Sequence, residues 1–482
     1  MIRRNGKHQQ RSVDPDHSAA SSKVSTFAAL QIHNYRLYFA GQFISNSGTW
    51  MQRIAQDWLV LEITGSPLAV GITTALQFLP MLLFGLFGGL LADRYNKRNL
   101  LLFTQAVMGL LAAALAVLTL SGHIEVWHIY AIAAGLGMVT VIDNPARQVF
   151  VNEMVPTRLL RNAVSLNAGT FQMARLVGPA IAGMLIAAVG SGWAFAINAV
   201  TFIATIAALL AMDTSKLTPS QPAPREKGQL REGIRYVAAR PQLMWLIILV
   251  GLIGTFGYNF AIILSAYAKN VFHSDADVFG WLNSAMAIGS VAGALLAARR
   301  ATVGMSFMYL TCGAFSVMLL VLGFTPWLLP FAGLLIITGF VSVTFNTTAN
   351  ATVQLSADPQ MRGRVMSIYM LVFTGGTPIG GPVVGAITDA WGAPTAIILC
   401  GAACVISTIA CGLLSAHQSG VSIRSQFTLP AWLTKRVRHA GRHEATAGTG
   451  TDGTVDQQQP DAANDVAPNG SAPKTRKEAS DD

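Results

Sequence analysis

Charge is what this chain has least of. Asp, Glu, Lys and Arg make up 12% of its 482 residues, while 52% are hydrophobic. Soluble proteins carry about 25% charged residues, so an ordinary soluble enzyme is excluded. Cysteine is scarce as well. There are four, with Cys312 alone and Cys400, Cys404 and Cys411 in one late apolar run. No His or carboxylate accompanies that trio, so all four read as small buried hydrophobes and no metal site is expected. None of the nine His falls near the centre of an apolar run. No nucleophile constellation stands out, no phosphate-cradling glycine loop is present, and no cofactor is expected. These absences argue against an enzyme and against ATP as the energy source. The first twenty-odd residues lack an apolar core, so no cleavable signal peptide is expected and the first apolar run itself acts as the targeting signal.

What the chain has in abundance is long apolar runs. About twelve recur, at approximately 37–61, 67–92, 99–120, 127–147, 163–188, 193–212, 242–267, 278–298, 306–324, 327–350, 365–388 and 393–416. Runs of roughly 20 residues are long enough to cross a bilayer as helices. The expected fold class is an all-α polytopic membrane protein with the lipid bilayer as its solvent.

The net charge of +10 does not point to nucleic acid, because its distribution is one-sided. The connections on one side hold a single basic residue, Lys269. Those on the other hold Arg94, Lys97, Arg98, Arg158, Arg161, Lys216, Arg225, Lys227, Arg231, Arg235, Arg240, Arg299, Arg300, Arg362 and Arg364. This bias is the positive-inside pattern, and it predicts a multi-pass protein of the cytoplasmic membrane with both termini in the cytoplasm.

Five segments follow. Residues 1–36 form an N-terminal arm, and 37–212 and 242–416 hold six spans each. Between them, 213–241 is a Pro-rich cytoplasmic linker ending in a short amphipathic helix, with Leu230, Ile234 and Val237 on one face. Residues 417–482 form a polar tail, expected to be disordered from about 444. Just before that, "FTLPAWLTKRVRHAGR" reads either as a helix lying on the inner membrane surface or as a solvated basic tail.

The two halves repeat. "VPTRLLRNAVS" aligns with "DPQMRGRVMS", pairing Pro156 with Pro359 and Arg161 with Arg364, and Gly178-Pro179 pairs with Gly381-Pro382 at the same offset. A constant offset over that distance argues for duplicated six-helix bundles. "GGLLADRYNKR", Gly88 to Arg98, places a tight charge cluster between two apolar runs. It resembles the loop motif between helices 2 and 3 of the major facilitator superfamily, and "GALLAARRATVG" from Gly293 is its degraded counterpart. "ARLVGPAIAG", Ala174 to Gly183, resembles the helix 5 Gly-Pro motif of that superfamily's antiporters through Gly178, Pro179 and Gly183, although Ala174 stands where Gly is frequent. "DNPARQVFVNEMVP" and "RGRVMSIYM" are similar to the branch of enterobactin and drug exporters. The resemblance covers about residues 30–416 and implies two six-helix bundles rocking about a central site. It also implies a conformational latch at Gly89, Asp93, Arg94 and Arg98, in which Asp93 meets the positive end of the eleventh helix near Arg364. The alternative reading of that cluster is a topology anchor.

Inside the spans, charge is confined almost entirely to the first half. Arg53 and Asp57 lie one turn apart, as do Asp143 and Arg147, and Arg175 sits near the middle of the fifth run. A charge at the bilayer centre costs about 3 kcal/mol on insertion scales, so each needs a partner or a wet cavity. Burial favours a neutral carboxylate and a nearby Arg favours a charged one, so motion that swaps partners can move a proton. Asp57, Asp143, Arg175 and Arg53 are therefore the proton-coupling candidates, with permanent structural ion pairs as the alternative. Arg175 is also a candidate second partner for Asp143. Phe256, Tyr258, Asn259, Phe260, Phe345, Asn346 and Asn350 offer aromatic walls and amides for an amphipathic substrate, or plain helix packing. The leading function is proton-coupled export of drug-like or siderophore-like small molecules. The rivals are a proton-coupled uptake carrier and, from another class, a transport-dead membrane sensor or scaffold.

Overall fold

The computed structural model of the protein describes residues 27–218, 229–298 and 304–419. Arg299, Arg300, the basic stretch at 427–438, the N-terminal arm up to residue 26 and the side chains of Leu230 and Asp93 lie outside the described residues. The described residues form helices joined by short turns, with no strand among them. The first half contributes α1 (His33–Thr64), α2 (Pro67–Arg94), α3 (Lys97–Leu120), α4 (Val126–Met154), α5 (Thr157–Val189) and α6 (Ser191–Leu210). A linker helix, α7 (Gln229–Ala238), follows. The second half contains α8 (Pro241–Phe256), α9 (Phe260–Ala266), α10 (Ala276–Ala298), α11 (Met305–Gly323), α12 (Leu328–Ser356), α13 (Arg362–Gly375) and α14 (Thr377–Ser419).

Among the described residues ten stretches are long and apolar enough to cross a membrane. Two features raise the crossings to twelve. α1 carries Arg36, Arg53, Asp57 and Glu62, yet its 32 residues are ample for a span. The stretch Arg362–Gln418 turns back at Gly392, so it makes two crossings. The apolar run at 242–267 is not one continuous helix. It breaks between α8 and α9 at Gly257, Tyr258 and Asn259, and a π-helical turn, Tyr267–Val271, ends it.

The turns are built from local chemistry. Gly65 ends α1 at φ 68°, its amide closing on the Leu61 carbonyl. Ser66 then caps α2 and Pro67 opens it. Gly392 (φ 82°) separates the last two crossings as Gly190 (φ 87°) separates α5 from α6. A side chain would be strained at these left-handed positions. Gly65, Gly190 and Gly392 all sit at the end of the bundle opposite the linker, here called the far end.

Packing repeats between the halves. α2 lies on α4, α3 on α6 and α1 on α5 and α6; correspondingly α10 lies on α12, and α11 and α8 on α14. The halves meet along two seams, α2 with α14 and α5 with α10. This is the major facilitator arrangement of two six-helix bundles. The repeated Gly-Pro pair occupies both seams: Gly71 of α2 lies against Gly381 and Pro382, and Gly280 of α10 lies against Pro179 and Gly183.

α7 docks on the second half. Glu232 accepts from Arg364 at 2.7 Å, and Arg240 reaches Asp358 at 2.8 Å. Its packed face differs from the expected one. Val237 is buried, but Ile234 is 53% exposed, and Gly233 meets Ile368 and Arg364. The helix approaches α13 through its glycine because only there can the two backbones come close.

A Cβ on Gly183 would stand 2.9 Å from the Ala276 carbonyl and 3.0 Å from Gly280 Cα, whereas nothing lies within 4 Å of one on Gly169 of the same helix. Gly183→Ala should therefore destabilise the purified protein by about 1–3 kcal/mol, while Gly169→Ala should be neutral or slightly stabilising. Equal melting midpoints for the two variants would refute the close α5–α10 crossing.

Candidate functional site

A cavity of about 860 Å³ lies between the halves. α1 contributes Thr49, Gln52, Arg53 and Gln56; α2 contributes Gln77, Phe78, Met81, Leu82, Leu83 and Gly85. α4 adds Thr140, Asn144, Pro145 and Gln148, and α13 adds Met366, Ser367, Met370, Leu371, Thr374 and Gly375. Met108, Leu136, Asn198 and Phe202 complete the wall. Its size suits a drug-sized organic molecule, and four methionines give it adaptable apolar faces.

The cavity lies on the linker side of a seal at the far end. There Asp389, near the end of the eleventh crossing, accepts from Ser66 Oγ at 2.5 Å and from the Leu68 amide at 3.3 Å. Its carboxylate thus meets the N-terminus of α2, where free amides and the helix dipole favour negative charge. Lys269 Nζ donates to the Leu61 carbonyl at 2.8 Å, and Trp58 stacks on Phe279 with ring centroids 6.0 Å apart. Each of these contacts joins one half to the other.

Asp143 is enclosed in a polar network within the first half. It is 2% exposed. Its carboxylate accepts from Thr104 Oγ1 at 2.7 Å, from Gln105 Nε2 at 2.9 Å and from Arg147, which also donates to Gln42. The network ties α1, α3 and α4 together. Arg175 does not join it; the Arg175 guanidinium lies 5.7 Å from the Trp50 ring.

Trp50 instead has two arginines. Arg53 stands 4.8 Å from its ring and 5.5 Å from that of Phe78. Arg53 Nε is buried with no hydrogen-bond partner, and the same holds for Gln56 Oε1. Among the described residues neither Arg53 nor Arg175 has a carboxylate within salt-bridge distance. Asp57, one turn beyond Arg53 on the same helix face, is buried and makes no ion pair there either. The expected Arg53–Asp57 contact is thus a proximity rather than a formed bridge.

The remaining candidates have plain places. Arg98 donates to the Leu209 and Leu210 carbonyls at 2.7 and 3.2 Å, capping α6, and Arg94 is exposed. Gly88, the residue before Gly89, packs directly against α4, at Val141. Gly178 abuts Trp50 and Ser47, and Pro179 and Gly183 form the α5–α10 seam. The seven aromatic and amide candidates do not line the cavity. Tyr258 donates to the Ser342 carbonyl at 3.2 Å and stacks on Phe315; Asn259 donates to the Thr255 carbonyl at 2.6 Å. Phe260 and Phe345 are buried, and Asn350 accepts from Gln354. These residues pack the second half around the break between α8 and α9, with Phe256 and Asn346 half-buried nearby. The residues that sequence reasoning missed are Gln52, Gln56, Gln77, Asn144 and Gln148 in the wall, and Ser66 and Asp389 at the seal. For α1 a signal was present: Gln42, Ser45, Thr49, Gln52, Arg53 and Gln56 recur at helical spacing within one membrane-length run.

Comparisons with known proteins agree with this architecture. The transmembrane secretion effector family model matches residues 24–434. The chain is 27% identical to the staphyloferrin A transporter of Staphylococcus aureus over 363 residues, spanning 74% of this chain and 90% of that protein. It is 28% identical over 371 residues to the multidrug efflux pump Tap of Mycolicibacterium fortuitum, spanning 72% and 87%. It is 25% identical over 359 residues to the enterobactin exporter EntS of Escherichia coli O1:K1 / APEC, spanning 73% and 85%. In fold it is similar to an inward-facing bacterial homologue of the lysosomal transporter Spinster, with a TM-score of 0.59, 15% identity, and 85% and 100% of the chains covered.

Asp143→Ala would leave Arg147 buried beside an empty carboxylate position. Losing one partner of a buried pair costs about 3–5 kcal/mol, so yield and melting midpoint should both fall. Asp143→Asn should fall less, because the amide oxygen still accepts. An unchanged midpoint for the Ala variant would remove the structural role of the network.

Proposed function

Because the chain belongs to the transmembrane secretion effector family of the major facilitator superfamily, we propose that it is a proton-coupled exporter of amphipathic organic molecules. The single observation that carries this reading is the 860 Å³ cavity between two six-helix halves. Such a cavity is one half of an alternating-access cycle. The linker end carries Arg94, Lys97, Arg98, Arg158, Arg161, Arg362 and Arg364, and the far end Lys269. By the positive-inside rule the linker end is cytoplasmic, so the cavity faces the compartment from which an exporter loads. On this proposal 37–212 and 242–416 are the two moving halves, joined by the linker at 213–241, with both termini inside a multi-pass protein of the cytoplasmic membrane.

α2 and the eleventh crossing form a two-ended device in this cycle. With the outer end closed, Asp389 caps the N-terminus of α2. With the inner end closed, Asp93, the last acidic residue of α2, would cap the N-terminus of α13. Each state gains one helix-dipole contact and loses the other, so the halves rock between two states of similar energy.

Of the two carboxylate candidates, this proposal places the proton on Asp57. Asp143 is satisfied by three donors. Asp57 is buried without an ion pair among the described residues, one turn from the cavity-lining Arg53. Transport of a chemically broad panel into inverted vesicles should respond to an imposed pH gradient. Asp57→Asn should lose that response, with expression and melting midpoint intact. Transport by wild type that ignores the gradient would remove proton coupling.

Asp389→Asn should weaken the outer seal by about 1–2 kcal/mol, the sum of one dipole contact and one hydrogen bond. A cysteine replacing Ala69, buried in that seal, should then label about 5–30-fold faster from outside. Unchanged labelling would leave Asp389 without a gating role.

A further inference from the structure

We infer that the cavity selects organic anions, which Arg53 holds through its guanidinium with Arg175 adding positive potential across Trp50. The inference deepens the exporter reading and rests on it for the claim that the cavity's occupant is cargo.

The cavity wall is chemically one-sided. Among the described residues Arg53 is the only charged one that lines it, and none of them brings an Asp or Glu into the wall. A cationic cargo would meet a like charge and no counter-charge. Arg53 itself is under-used. Its guanidinium leans on the faces of Trp50 and Phe78, and its Nε finds no acceptor although that atom is buried. Gln56, 2% exposed and also in the wall, has an amide oxygen without a partner. Arg175 lies 5.7 Å from the same indole, and among the described residues no carboxylate bridges it. Two guanidiniums therefore share one aromatic ring in the interior of a membrane protein. Asp57 is the nearest carboxylate on that helix face, and it forms no bridge to either among the described residues.

Buried charge without a formed bridge in such a place is costly and marks a substrate path. A planar fork of donors is suited to a carboxylate, catecholate or sulfonate edge. The methionines Met81, Met366 and Met370 and the ring of Phe78 supply apolar contact for the body of such a molecule. The amides of Gln52 and Gln77 can pair with further oxygens. The fitting cargo is an amphipathic, oxygen-rich organic anion.

Two xanthene dyes of similar size and opposite charge make the test: carboxyfluorescein as the anion and rhodamine 123 as the cation. Equilibrium binding to the full chain in nanodiscs, read by dye anisotropy, should favour the anion by about tenfold or more, the range of one charge-assisted hydrogen bond. Arg53→Gln should lose most of that preference, Arg53→Lys should keep part of it, and Arg175→Gln should weaken it less. Size-exclusion profiles report folding; if Arg53→Gln does not fold, the Lys and Arg175 variants carry the comparison. Failure of the anion to bind, equal or tighter binding of the cation, or an unchanged preference in a folded Arg53→Gln would overturn the inference. Dye uptake into inverted vesicles separates the two readings. Anion binding without transport supports the anion site and counts against the exporter. Transport of both dyes with no binding preference keeps the exporter and overturns the anion site.

Discussion

A polar group in hydrocarbon must find its partner inside the protein, and most of this structure follows from that demand. Backbone amides and carbonyls are satisfied within helices, which leaves the connections at the far end only a few residues each. Where a helix breaks, at Gly257 to Asn259, the Asn259 amide returns to the Thr255 carbonyl and the Tyr258 hydroxyl to the Ser342 carbonyl. Where a carboxylate is buried, at Asp143, three side chains from two helices close around it. Against that background Arg53, Arg175 and Asp57 stand out as groups whose partners the first half does not supply.

Mobility and close packing meet at the two seams. Backbone contact at Gly71 with Gly381 and at Gly183 with Gly280 lets α2 and α5 cross their neighbours without interlocking side chains. Smooth crossings of this kind resist sliding or rocking less than ridges set into grooves. The polar contacts are concentrated at the outer tip, through Asp389, Ser66 and Lys269. A seam that is smooth along its length and fastened at its tip can open by releasing few interactions.

Much of the fold could be read before any coordinates, and the reasons are specific. Hydrophobic runs reported the crossings because the bilayer imposes length. The shared offset of Gly178-Pro179 and Gly381-Pro382 reported the duplication, and both pairs proved to lie at the inter-half seams. The cavity was less legible. Phe256, Tyr258 and Phe345 carry the composition of a binding wall, yet composition does not say which face of a helix turns inward. The polar stripe of α1, from Gln42 to Gln56, did hold that information, but its residues are individually unremarkable. Asp389 was unreadable for another reason. Its partner is the first turn of a helix more than three hundred residues away, and a helix terminus leaves no mark in composition.

An anion-selecting cavity bears on the direction of transport. Moving one elementary charge across the membrane potential is worth about 2.3 kcal/mol per 100 mV. Cells hold the cytoplasm negative, so every negative charge on a cargo is pushed outward by that amount and opposed on the way in. An uptake carrier built around Arg53 would work against the potential with each turnover, whereas an exporter would be driven by it. Arg53 and Asp57 share a helix face, so an anion at the guanidinium competes with the Asp57 carboxylate for the same cation. On that proposal occupancy of the cavity and protonation of Asp57 would be linked, and the linkage would need no contact between cargo and acid. On the exporter proposal the positive wall, the opening on the linker side and the unpaired acid form one arrangement: a site that would load anions where they are made and give them up where the potential favours their release.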